Sequence, residues 1–421
     1  MTNQGTSGGE LARRLGVGDA VTIGLGSMIG AGVFAVLAPA AQAAGSGLLV
    51  GLAIAAVIAY CNATSSARLA ALYPVSGGTY VYGRERLGEL WGYLAGWCFV
   101  VGKTASCAAM ALTVGVYAWP EYAHAVAVAA VVAVTAVNYR GIQKSALVTR
   151  LIVAVVLAVL AAVVVAAVSS TPDDAGEHLS LGSDATAYGI LQAAALMFFA
   201  FAGYARIATL GEEVRDPART IAKAIPTALG IVLVVYVAVA VAALAVVGPA
   251  GLADATAPLV ETVRVAGVPG LAPIVQVGAV VAAIGSLLAM VLGVSRTTLA
   301  MARDGHLPRW LAAVHPQHRV PHHAEVTIGV VVAVLAATVD VRSAIGFSSF
   351  GVLLYYAIAN AAAATLSRDE RRPARAVTTV GLVGCVVLAA TLPIGSVVAG
   401  VVVVALGAAV YLVRTTRRPR R

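Results

Sequence analysis

From Leu151 to Val168 the chain carries no charge at all, only Leu, Ile, Val and Ala. About 20 such residues cross the hydrocarbon core of a bilayer as one helix. Eleven more apolar stretches follow the same pattern, giving candidate spans at 17–44, 47–67, 89–117, 122–138, 146–168, 187–211, 222–248, 271–302, 324–340, 343–366, 376–391 and 394–414. Overall, 60% of the chain is hydrophobic and 11% charged. A water-soluble fold has no place for that much apolar surface, because its interior takes about half of a chain. A membrane β-barrel would alternate apolar and polar residues in segments of about ten, which this sequence does not do. The expected fold class is an all-α integral membrane protein with twelve transmembrane helices.

Charge orients the bundle. Arg13, Arg14, Arg68, Arg84, Arg86, Arg140, Lys144, Arg150, Arg215, Arg219, Lys223, Arg303, Arg309, Arg319, Arg368 and Arg375 fall in alternate loops, while the intervening loops carry chiefly Arg264 and Arg342. The loop at 169–186 is acidic, with Asp173, Asp174, Glu177 and Asp184. Positive charge accumulates on the cytoplasmic side. The expectation is a multi-pass protein of the inner (plasma) membrane with both termini cytoplasmic. The net charge of +9 serves this orientation, so no nucleic-acid partner is expected; the partners are the lipid bilayer and a small molecule. No cleavable leader is expected, since the first apolar span runs far past a signal peptide's short apolar core. Cys61, Cys98, Cys107 and Cys385 lie in or beside apolar segments without metal-ligand spacing and read as packing residues.

Two spans carry interruptions. Gly24, Gly26, Gly30 and Gly32 crowd the first, and the sixth holds Gly203 within Phe198-Phe199-Ala200-Phe201-Ala202-Gly203-Tyr204. Glycine costs about 1 kcal/mol relative to alanine inside a helix. Unwound backbone at membrane depth is tolerated only where it lines a cavity or meets a ligand. A break exposes N–H groups and a positive dipole end, suited to a carboxylate, and carbonyls at the other end, suited to an ammonium. A zwitterionic amino acid supplies both. Glycine-mediated helix packing is the competing account for Gly26 and Gly30. Matching positions in two successive five-span sets favour a binding site.

Gly26-Ser27-Met28-Ile29-Gly30-Ala31-Gly32-Val33-Phe34 resembles the first-helix motif of the amino acid–polyamine–organocation superfamily of permeases. The sixth span and its exit, Gly211-Glu212-Glu213-Val214-Arg215-Asp216-Pro217, resemble a second signature. Ala302-Arg303-Asp304-Gly305-His306-Leu307-Pro308 and Pro74 with Ser76-Gly77-Gly78-Thr79-Tyr80 supply two more. The resemblance implies a LeuT-like five-plus-five inverted repeat with broken helices one and six, and alternating access. Its parts would be a cytoplasmic tail at 1–16, a first repeat at 17–168 and a second at 187–366. Two extra helices at 376–414 and a basic tail at 415–421 would complete it. Carried over by position, the N–H groups of Gly30, Ala31 and Gly32 would hold the substrate carboxylate. The carbonyls of Met28, Phe199 and Ala202 would hold its ammonium, and Phe199 and Phe201 would gate the site. Ser27, Ile29, Gly203 and Tyr204 complete the implied substrate-binding set. Where many relatives have an acid after the sixth-span glycine, this chain reads Gly203-Tyr204-Ala205-Arg206, which points away from a cationic substrate and towards a neutral or acidic side chain, the neutral one being expected.

Lys103 lies mid-span in the third apolar segment, where a charge costs about 2.5–3.5 kcal/mol on insertion scales. It is the candidate for proton coupling or substituent recognition, a purely structural lysine being the rival. The coupling ion expected is H+ ahead of Na+, since Ser286 in span eight is not diagnostic of sodium. Glu212, Glu213, Arg215, Asp216 and Arg219 read as inner-gate ion pairs or as solvated loop. No catalytic residues, no metal and no cofactor are expected, the four histidines at His315, His318, His322 and His323 notwithstanding. The function these features support is secondary active transport of amino acids, not an enzyme. An exporter or exchanger of amines, and a transport-inactive sensor on the same fold, stand as alternatives.

Overall fold

In the computed structural model, residues 15–74, 77–141, 146–170, 172–182, 185–204, 207, 214–370 and 372–417 are described. They are helical almost throughout, with one isolated bridge, Leu15 to Val214, as the only β-type pairing among them. The helices are α1 (Val17–Met28), α2 (Ala31–Ala35), α3 (Leu37–Ala44), α4 (Leu48–Leu72), α5 (Thr79–Leu87), α6 (Glu89–Ala118), α7 (Ala123–Tyr139), α8 (Ala146–Ser169) and α9 (Ala175–Leu179). They continue with α10 (Ala187–Phe201), α11 (Pro217–Asp254), α12 (Pro258–Val265), α13 (Ala272–Arg303), α14 (His322–Thr338), α15 (Val341–Ala364), α16 (Arg375–Thr391) and α17 (Ile394–Arg417). Ten helical segments among the described residues are long and apolar enough to cross a membrane; α14 and α16 are apolar but shorter. Every apolar stretch noted in the sequence is mostly helical where it is described, the first being interrupted at Ile29 and Gly30.

Burial sorts these helices into a core and a wrapping. The apolar windows of α6 and α15 are 83% buried, against 17% for that of α17 and 22% for that of α7. Helix α6 packs on α13 and α15, while α4 is flanked by α10, α11 and α16. Lipid tails are as apolar as leucine, so helices in a membrane associate through close packing and interhelical hydrogen bonds. Both devices are present. At Gly102 and Gly351 the backbones of α6 and α15 meet directly. Asn360 of α15 donates to Asn62 of α4 at 2.6 Å and accepts from the Ser65 hydroxyl at 2.7 Å. In α11 the chain kinks at Gly248, whose φ of 73° is open to glycine at little cost, ahead of Pro249.

Two of the sequence motifs come together at the end that carries the termini. The Tyr80 hydroxyl donates to Asp304 at 2.5 Å and lies 2.8 Å from His306 Nδ1, while Arg84 pairs with Asp304 at 3.3 Å. Burial, followed by the neighbouring Asp304 carboxylate, pushes the Tyr80 phenol above its usual range. Arg86 pairs with Glu370, and that hydrogen bond pulls the Glu370 carboxyl down to about 2. A carboxylate so depressed contributes its stabilisation above the ordinary range and loses it only as pH falls towards about 2. This tie therefore survives mild acid.

Glu325, in the first turn of α14, is the anomaly. It is fully buried, and neither carboxylate oxygen has a hydrogen-bond partner among the described residues. Burying such a group without partners is costly, and an apolar replacement of similar volume removes that cost. We predict that Glu325→Leu raises the thermal unfolding midpoint in detergent, corresponding to roughly 1–4 kcal/mol. A lowered midpoint would show that the carboxylate has a stabilising role.

Candidate functional site

The first span stops halfway. Helix α1, at about 1.5 Å per residue, is only about 18 Å long, too short for a core of about 30 Å. It ends at Met28; Ile29 leaves helical geometry (φ −81°, ψ 60°) and Gly30 is more extended (φ −114°, ψ −135°). The chain then re-enters a helix at Ala31. Val36 keeps right-handed dihedrals and its N–H bonds Gly32 O at 3.0 Å, so α2 and α3 form one continuous half-helix. The N–H groups of Ala31 and Gly32 open that half-helix, where no intrahelical acceptor reaches them.

Helix α10 ends at Phe201, and a single 3-10 turn, Ala202–Tyr204, is the last described stretch before the exit motif. The N–H of Ala202 turns back onto the carbonyls of Phe198 and Phe199. Arg206, Glu212 and Glu213 lie outside the described residues, as does the rest of the exit motif before Val214. Asp216, by contrast, caps α11 by accepting from Arg219 N–H.

The two ends meet backbone to backbone. A Cβ on Gly203 would overlap the Ser27 carbonyl and the Met28 nitrogen, one on Gly32 would lie 2.8 Å from Ala200 Cα, and one on Gly30 would overlap the Ser286 hydroxyl of α13. Glycine is needed at these places for room, whatever the dihedral angles. Met28, Ile29, Ala31, Phe199, Ala202 and Tyr204 are all buried around this crossing. Ser27 is half-buried and turns its hydroxyl back to Ile23 O at 2.9 Å. Phe201 does not share the position of Phe199: its ring packs edge-on against Tyr236 of α11, centroids 5.1 Å apart.

Side chains from the surrounding helices serve the exposed carbonyls. The Tyr236 hydroxyl lies 2.6 Å from Met28 O and 3.0 Å from Ala200 O, sharing its one proton between the ends of α1 and α10. Lys103 of α6, 3% exposed, donates from Nζ to Ala202 O at 3.2 Å, and the Tyr356 hydroxyl of α15 reaches the same oxygen at 3.5 Å. Sequence reasoning found Lys103 but passed over Tyr236 and Tyr356. The available signal was a polar aromatic residue inside an otherwise aliphatic run, Val234-Val235-Tyr236-Val237.

Contacts between helices lie on both sides of this crossing. At the termini end, Arg215 N–H bonds Leu15 O at 2.9 Å and Arg150 pairs with Asp19. At the opposite end Gln42 donates to Ala253 O and accepts from Arg342, each at 2.7 Å.

Residues 15–413 match the family described as amino acid permease. The chain belongs to that family. An uncharacterised transporter of Mycobacterium tuberculosis is 72% identical over 414 residues, covering 98% of this chain and 94% of the relative. More distant relatives include a branched-chain amino acid permease of Bacillus subtilis, 28% identical over 87% of this chain and 83% of its own length. A methylthioribose transporter of the same organism is 26% identical over 86% and 82%. The permease is accordingly a membrane transporter of the amino acid permease type and not an enzyme.

Glycine substitutions test the crossing. Gly203→Ala and Gly30→Ala each place a methyl into occupied space, at a cost of about 1–3 kcal/mol. Gly293→Ala in α13 meets nothing within 4 Å. We expect the first two to lose at least about tenfold in transport and the third to retain it, measured in liposomes alongside gel-filtration profiles. Equal activity in all three would show that the close approach has no functional part.

Proposed function

We propose that the chain is a secondary active transporter of amino acids with neutral side chains, binding the zwitterionic head at the crossing of the two helix ends. The observation that carries this reading is the contact of Gly203 with the Ser27–Met28 peptide. It places a helix N-terminus (Ala31, Gly32) and two helix C-termini (α1, α10) around one point at membrane depth. Opposite partial charges, about half an elementary charge at each helix end, suit a carboxylate and an ammonium on one carbon. The name of the branched-chain relative supports a neutral aliphatic side chain, as does the apolar character of Ile29 and Phe199.

In this reading the N–H groups of Gly30, Ala31 and Gly32 take the carboxylate, the carbonyls of Met28, Phe199 and Ala202 take the ammonium, and Phe199 closes over the side chain. The apolar runs support twelve crossings, the family resemblance a five-plus-five arrangement with two further helices, and the loop charges cytoplasmic termini in the plasma membrane. Movement that breaks the Asp19–Arg150 tie on one side or the Gln42–Arg342 tie on the other gives alternating access. We assign coupling to H+, with Lys103 as the group that responds to it, since it touches the α10 end directly.

Purified protein in liposomes, offered labelled leucine, isoleucine, phenylalanine and arginine under imposed proton or sodium gradients, tests this. We expect accumulation of the neutral amino acids driven by the proton gradient, with arginine excluded. In Lys103→Met, uptake should equilibrate without concentrating. A silent panel, or one driven only by sodium, would overturn the reading.

A further inference from the structure

Lys103 has no carboxylate within ion-pair distance among the described residues. Its ammonium instead sits on Ala202 O, a carbonyl at the C-terminal end of α10, where the helix dipole is negative. The same oxygen receives the Tyr356 hydroxyl. A carbonyl oxygen has two lone pairs; Lys103 takes one at 3.2 Å, and a second ammonium would share the other with the Tyr356 hydroxyl at 3.5 Å. A second ammonium brought to this point would also face Lys103 at close range, and like charges repel strongly where water is excluded.

We infer that the Lys103 ammonium is the resting occupant of the subsite that a substrate's ammonium takes, so that amino acids bind by displacing it. This rests on the zwitterion reading of the site and adds an internal competitor to it. Lys103 supplies in the empty protein the positive charge that the substrate supplies in the loaded one, and the α10 carbonyl end keeps a cation in both. Ligands then divide by chemistry. A compound with an α-ammonium must compete with Lys103, whereas a carboxylate of the same shape without the amine leaves it in place.

The test is equilibrium binding of leucine and of its des-amino analogue, 4-methylpentanoate, to wild type, Lys103→Met and Lys103→Arg in lipid nanodiscs. Removing the competitor in Lys103→Met should tighten leucine by about tenfold, the scale of one charge-assisted hydrogen bond. Lys103→Arg, whose guanidinium holds carbonyls through several donors, should weaken leucine. The analogue should be indifferent to both changes. If Lys103→Met does not assemble, the arginine variant alone still separates the two ligands. The inference is overturned if Lys103→Met weakens leucine, or if leucine and its analogue move together in the variants. Absence of binding of either ligand to wild type would instead remove the zwitterion reading on which it rests.

Discussion

The bundle is organised around one contact, the approach of Gly203 to the peptide joining Ser27 and Met28. Helix α1 stops at Met28 and α10 gives way to a 3-10 turn after Phe201, so each leaves main-chain groups without helical partners, which an apolar surrounding makes costly. Bringing the two ends together concentrates these groups in one place instead of scattering two separate penalties. No residue with a side chain fits at Gly203, and the same holds at Gly32 against Ala200 and at Gly30 against Ser286.

Around that contact the surrounding helices act as a scaffold with its own polar fittings. Tyr236 of α11 ties the last carbonyls of both interrupted helices, while Lys103 and Tyr356 meet at Ala202 from α6 and α15. Lys103 and Tyr356 come from uninterrupted helices, and α6 and α15 are among the most buried in the molecule. The carbonyl ends of the site are thus held in place before any ligand arrives. The N–H groups of Ala31 and Gly32 open a half-helix, and the proposed reading gives that end to an anion.

Much of this was legible from residues alone. Long aliphatic runs fixed where the helices fall, because a bilayer leaves the chain few alternatives. Four glycines clustered in the first span marked its break, and a lysine in the third span announced itself through the cost of its charge. What escaped was set by partners distant in sequence. Tyr236 gains its role only because α11 packs beside α1, and nothing in Val234-Val235-Tyr236-Val237 says which carbonyl its hydroxyl will find. Phe201 was read with Phe199 as a gate, yet a helix turns about 100° per residue, so residues two apart face different neighbours; Phe201 turns to Tyr236. Glu325 sits at a helix start where an acid is unremarkable in sequence, and only its burial sets it apart.

The main-chain amides of Gly30, Ala31 and Gly32 give the most direct reading of whether this crossing is a binding site. Their 15N–1H chemical shifts, followed in labelled protein as leucine is added, report hydrogen bonding at those atoms without any substitution. The account predicts that all three move as the site fills, while the amide of Gly293 stays where it is. Leucine binding that saturates with those three signals unmoved would contradict it.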